Sequence, residues 1–237
     1  MNNKNYLRFL SPVYLLLGLA ALGLNRWLFG MYVEDPVSGL LPSGALPEIL
    51  IWVLTACAAA GAFLLPRGGA MGERSPISGA LSNGVFAAGV LTLLLEPAEG
   101  PAVLVLVYRV FCVVTALCLI TAAVQQLRKK TPHFLLEAAP CVLCILFLLE
   151  FYQRFSEVPQ LMNYVLGLGA VLCLTLSAYH RMARAAGLPH KQHALAVGLL
   201  AVYFCTAAVS MGEYVLFFAA AAVWVASEMA RLRPAEE

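Results

Sequence analysis

Eight apolar runs divide the chain, each close to the roughly 20 residues that a helix needs to cross a bilayer core of about 30 Å, and proline, glycine and charge gather between them. The pattern predicts helices at 12–30, 47–65, 76–96, 101–126, 132–152, 159–180, 189–209 and 211–231. Pro12, Pro47, Pro76, Pro101, Pro132, Pro159 and Pro189 each stand just ahead of, or open, an apolar run. Proline suits the first helical position because its missing N–H would have had no intrahelical partner there. The eighth run starts instead on Ser210-Met211-Gly212-Glu213, the spacing of a capping box in which each side chain satisfies the other residue's backbone N–H. The expected architecture is an all-α polytopic membrane bundle of eight transmembrane helices arranged as four hairpins. It forms one integral membrane domain over 1–237, with no soluble domain.

Charge sits at the ends of these runs and gives them a direction. Lys4, Arg8, Arg67, Arg74, Arg128, Lys129, Lys130, Arg181, Arg184, Lys191, Arg231 and Arg233 fall on one side of an eight-span arrangement. Arg26, Arg109 and Arg154 fall on the other, with Glu34, Asp35, Glu48, Glu96, Glu99, Glu150, Glu157 and Glu213. Basic residues are retained on the cytoplasmic side during insertion, so both termini are expected there. Removing or adding one span would scramble the segregation. The ends Leu94-Leu95-Glu96 and Leu148-Leu149-Glu150 resemble each other, as do Leu117-Cys118-Leu119 and Leu172-Cys173-Leu174, which suggests a parallel repeat of hairpins.

Composition agrees with a membrane as solvent. The chain is 62% hydrophobic and 12% charged, with a mean hydropathy of +0.84, more apolar surface than a water-soluble fold of this size could bury. A net charge of +2, from dispersed basic residues, argues against nucleic acid as a partner. The run after Pro12 is long and no small-residue cleavage site follows it, so the first helix is expected to stay as an anchor. All seven cysteines fall inside apolar runs, which points to reduced thiols acting as small apolar side chains. Cys141-x-x-Cys144 is among them, and burial would deny it the accessible thiolate that redox chemistry needs. No cofactor is expected.

Several side chains break the apolar pattern and become candidates. Arg109 lies about two turns inside its run, where a charge costs a few kcal/mol or more unless it finds a partner or reaches the headgroups. Glu96 and Glu150, near the same level, are the expected partners, either as an outer gate or solute site or as a structural pin between hairpins. Ser78, Ser82 and Asn83 make the early part of helix three polar and form a candidate substrate path, which Asn163, Thr175 and Ser177 of helix six could face; packing between helices is the plainer alternative. His133 and Glu137 stand four residues apart on one helical face, with His180, His190 and His193 near the same boundary. Together they form a candidate inner proton-relay or metal cluster, although basic loops explain interfacial histidine without chemistry.

The chain lacks a Gly-x-Ser-x-Gly elbow, a His-Glu-x-x-His helix and a phosphate-binding loop, which removes the main support for common enzyme classes, and it lacks an Arg-rich voltage-sensing helix and a Thr-Val-Gly-Tyr-Gly filter, which weakens the voltage-gated and potassium-channel readings. In general character it resembles the small polytopic proteins of bacterial inner membranes, and a multi-pass position in a bacterial cytoplasmic membrane is the expectation. The first functional expectation is a small-solute transporter or the membrane subunit of a transport system. The alternative is a noncatalytic sensor, scaffold or assembly subunit that acts through helix contacts with a membrane partner or a second copy. A polar cavity around Arg109 and Asn83 would favour transport, and a dry bundle with a broad apolar groove would favour the alternative.

Overall fold

A computed structural model describes residues 7, 9–31, 45–64, 69–72, 75–97, 101–155, 161–188 and 192–234. Lys4, Arg8, Glu34, Asp35, Arg67, Arg74, Glu99, Glu157, Pro159, Pro189, His190 and Lys191 lie outside the described residues. The helices are α1 (Leu10–Met31), α2 (Leu46–Leu64), α3 (Pro76–Thr92), α4 (Ala102–Leu127), α5 (Phe134–Phe155), α6 (Leu161–Ala185), α7 (Gln192–Ala208) and α8 (Val215–Met229). Six of them, α1, α2 and α4 to α7, are long and apolar enough to cross a membrane, while α8 is apolar but shorter. The described part of the chain is thus an apolar helical bundle of the multi-pass membrane type.

The helices assemble around α7, which is buried on nearly every side and touches α1, α2, α6 and α8. A helix that is apolar all round belongs at the centre of a bundle, and α7 buries Leu195, Ala196, Leu200 and Ala201 around its circumference. On one flank α3 lies against both α4 and α8, and α5 joins α4 to α6. Aromatic packing fills the interior. Phe147 of α5 meets Phe217 at 4.8 Å and Tyr214 at 5.0 Å, and Phe86 of α3 stacks on Trp224 of α8 at 4.4 Å.

Two features depart from the sequence expectation. The capping box does not form. Residues Val209–Met211 make a 3-10 turn, Gly212 (φ 84°) and Tyr214 (φ 51°) adopt left-handed conformations, and α8 begins only at Val215. Ser210 is used elsewhere, accepting from Asn25 Nδ2 at 2.6 Å and donating to Ala207 O at 2.7 Å. The second departure is a β-ribbon in an otherwise helical chain, in which β1 (Gly69–Met71) pairs antiparallel with β2 (Leu232–Pro234). Gly72 N–H donates to Arg231 O at 2.9 Å beside it, so the end of the chain is tied to the α2–α3 connection.

Close helix approach is set by particular glycines. A Cβ on Gly18 of α1 would stand 2.8 Å from Tyr203 O and 2.6 Å from Thr206 Cβ of α7, whereas one on Gly84 of α3 would meet open space. Gly18→Ala is therefore expected to lower stability by about 1–3 kcal/mol through overpacking against backbone, while Gly84→Ala leaves it within about 0.5 kcal/mol. Reversible denaturation of both variants in the same detergent checks the contrast.

Candidate functional site

Polar chemistry in the bundle collects at two ends. Glu137 and Glu150 mark them on α5, 13 residues and so about 20 Å apart along the helix. Among the described buried residues, charge is confined to Glu137, Arg181 and Glu228 at one end and Glu150 at the other.

Arg181 is the centre of the first end. Its Nε donates to Glu137 Oε2 at 2.5 Å, and one terminal nitrogen donates to Glu137 Oε1 at 3.1 Å and to Asn83 Oδ1 at 2.7 Å. The other terminal nitrogen lies 3.4 Å from Glu228 Oε2, and the guanidinium sits over Trp224, 4.4 Å from the ring centroid. Trp224 Nε1 also donates to Asn83 Oδ1, at 2.9 Å. The side chains of Arg181, Glu137 and Glu228 are only 5%, 4% and 4% exposed, so each charge is matched inside the bundle.

Local helix chemistry explains the positions. Glu137 lies in the first turn of α5, where a carboxylate opposes the positive helix end. Glu228 lies in the last turn of α8, where the dipole opposes an anion and cations must compensate. Three do so. Besides Arg181, Arg184 pairs with Glu228 Oε1, and Arg231 lies 3.5 Å from the same oxygen. Arg184 is in the last turn of α6, which closes on Gly187 at φ 80° with Leu188 N–H donating to Ala183 O at 3.0 Å. Arg231 follows α8 directly, and its carbonyl is held by Gly72. Burial and then the neighbouring Arg181 push the Arg231 guanidinium down to about 10, with Glu137 opposing the shift.

These groups line an open pocket of 370 Å³ whose walls include Thr131, Glu137, Arg181, Arg184, Glu228 and Arg231. Arg184 Nε is a buried donor with no hydrogen-bond partner among the described residues. A second depression, of 610 Å³, lies between α3 and α4 and is apolar throughout, with Leu81, Gly84, Ile120 and Leu127 among its walls.

The other end holds a second polar network. Tyr214 O–H donates to Glu150 at 3.0 Å, Arg154 donates to Tyr214 Oη at 3.0 Å and to Pro97 O at 2.7 Å, and Arg154 pairs with Glu213 at 2.9 Å.

The sequence candidates distribute unevenly over this geometry. Asn83 belongs to the Arg181 network, but Ser82 donates to Gly79 O within its own helix and Ser78 is exposed. Thr175 is likewise turned to its own helix, donating to Val171 O, and Ser177 is buried. The side chain of Asn163 lies outside the described residues. Arg109 is exposed on α4, and among the described residues neither Glu96 nor Glu150 pairs with it. Glu96 is half-buried just beyond α3. Glu137 faces Arg181, His133 is exposed beside Phe134, and the rings of His180 and His193 lie 5.1 Å apart. His190 is outside the described residues, and no group of three or more metal-ligating side chains occurs among those described. Trp224 and Glu228 were not singled out, and Arg181 served only to orient the chain. Glu228 carried a signal, because an acid closing an apolar run demands a partner.

Comparison with protein-family models, with curated proteins and with solved structures gave no match.

Removing one partner of the buried pair leaves an uncompensated charge. Glu137→Ala and Arg181→Ala are each expected to cost about 3–5 kcal/mol, with a double substitution by apolar residues costing less than either. Ser78→Ala should change stability by less than about 0.5 kcal/mol. Denaturation of the purified variants in detergent checks both expectations.

Proposed function

We propose that this chain is a noncatalytic membrane subunit of the sensor or scaffold kind, with the basic pocket as its recognition site. It crosses a bacterial cytoplasmic membrane eight times with both termini inside, which puts the pocket at the cytoplasmic face. The observation that carries the reading is the separation of the two polar ends by a packed aromatic interior. A conduit needs polar groups along its length, and the buried charges here stop at the ends. The orientation is supported by Arg128, Lys129 and Lys130 lying exposed at the end of α4, on the pocket side.

One observation favours the transporter reading. The pocket opens directly onto the Glu137–Arg181–Glu228 network, which joins α5, α6 and α8 and could serve as a closed inner gate. In that case Glu96, Arg109 and Glu150 mark the outer side, and Ser78, Ser82 and Asn83 line the inner approach.

Reconstitution separates the two. Vesicles containing the protein are expected to take up ions, amino acids and organic anions at the rate of protein-free vesicles, within about twofold, because the buried charges among the described residues stop at the two ends. Saturable uptake that Glu137→Gln abolishes would assign the protein to transport. A reporter fused after Glu237 that is active only in the cytoplasm is expected to be active, and activity of an exterior-only reporter there would reverse the orientation.

A further inference from the structure

The pocket carries more positive charge than its own carboxylates neutralise. Three guanidiniums, Arg181, Arg184 and Arg231, stand against two carboxylates, Glu137 and Glu228. Glu137 is engaged by Arg181, which leaves Glu228 as the counter-ion shared by Arg181, Arg184 and Arg231. Arg184 Nε has no hydrogen-bond partner among the described residues and is buried, so a donor of a charged group is left unspent beside the pocket. Burying such a donor is costly unless something accepts from it.

The opening itself is suited to an incoming oxyanion. Thr131, an exposed residue, is among those lining it, and Arg184 and Arg231 are 24% and 15% exposed where Arg181 is 5% exposed. The two outer arginines are therefore within reach of a ligand, while Arg181 is held by Glu137, Asn83 and Trp224. Guanidinium groups match phosphate oxygens with paired N–H donors, and phosphate offers several acceptor oxygens to more than one arginine at once. The exposed Arg128, Lys129 and Lys130 lie on the same side of the bundle and raise the local concentration of anions.

We propose that the pocket between Arg184, Arg231 and Thr131 is a phosphate-binding site, filled either by a soluble phosphate or by the headgroup of an anionic lipid. It rests on the pocket's being a recognition site. Glu228 acts as the internal competitor: the incoming phosphate takes Arg184 and Arg231, and Glu228 keeps Arg181. Binding thus exchanges one anion for another on the same guanidiniums and draws the end of α6 and the residue after α8 onto one ligand.

The test is the thermal stability of the full-length protein in neutral phosphatidylcholine nanodiscs at constant ionic strength, titrated with inorganic phosphate against chloride, and in nanodiscs that contain phosphatidic acid. A saturable rise in Tm with phosphate assigns a soluble ligand, and a rise confined to phosphatidic acid assigns the lipid headgroup. Either supports the site. Arg184→Gln and Arg231→Gln, which leave Glu228 paired with Arg181, are expected to weaken the response about tenfold each, with Arg184→Lys between wild type and Arg184→Gln. Glu228→Gln is expected to bind more tightly than wild type, since it removes the competing carboxylate. No response to either probe, an undiminished response in both glutamine variants at the arginines, or loss of binding in Glu228→Gln overturns the proposal. Solute flux through vesicles with phosphate binding intact would remove the subunit reading and leave this site standing.

Discussion

A guanidinium buried among apolar helices is tolerated only when its donors are matched, and Arg181 meets that demand with two carboxylates, an amide and an indole face. Its partners come from α3, α5 and α8, so a single side chain on α6 ties four helices at one end. None of those contacts is local in sequence. Asn83 lies 98 residues from Arg181 and Glu228 lies 47 residues away. Helix packing in lipid lacks the hydrophobic drive available in water, so polar contacts and close steric fit must specify which helices meet. The Arg181 network supplies the first and Gly18 against Tyr203 supplies the second.

The same logic explains why the far end is built differently. There the carboxylate is Glu150, and its partner Tyr214 is held in a left-handed conformation that brings the phenol to it before α8 starts. Arg154 then bridges Tyr214, Glu213 and Pro97 O, closing the connections around one cation. There the hydroxyl serves Glu150 and the arginine serves Glu213. At the pocket end three arginines meet two carboxylates around an open pocket.

Much of the helix layout was legible because it depends on hydropathy and proline, both local. Pro12, Pro47, Pro76 and Pro101 lie at or within two residues of helix starts in the structure, and Pro132 precedes α5 by two residues. The end of helix six was placed at 180, yet α6 runs to Ala185 and includes Arg181, whose partners Glu137 and Glu228 come from other helices. Arg181 therefore read as a loop cation when it is the most connected charge in the bundle. Arg109 shows the converse. The buried stripe of α4 runs through Tyr108, Cys112, Ala116 and Leu119, and Arg109, turned about 100° from Tyr108, stands at its edge. Its place in the middle of an apolar run suggested burial, whereas the structure leaves it exposed. The repeat of Leu-Leu-Glu likewise gave Glu96 and Glu150 equal weight, although only Glu150 remains within its helix and is buried. The β-ribbon left no sequence signal, being three residues on each side and dependent on the C-terminal segment returning past α8.

That ribbon connects the fold to the pocket. Glu228 sits where the dipole of α8 opposes it, so its ionised form depends on the cations around it, and one of these, Arg231, lies beyond the helix. A residue outside a helix has backbone freedom that would cost entropy to fix. The hydrogen bond from Gly72 and the pairing of β1 with β2 fix it from the far side of the α2–α3 connection. The C-terminal segment thus has a structural reason to turn back against the bundle, since holding Arg231 in place keeps Glu228 compensated. It also keeps one wall of the pocket on a segment whose register is set by three residue pairs, while Arg181 and Arg184 stand on α6. A ligand that gathers Arg184 and Arg231 would therefore pull together two elements held by separate sets of bonds.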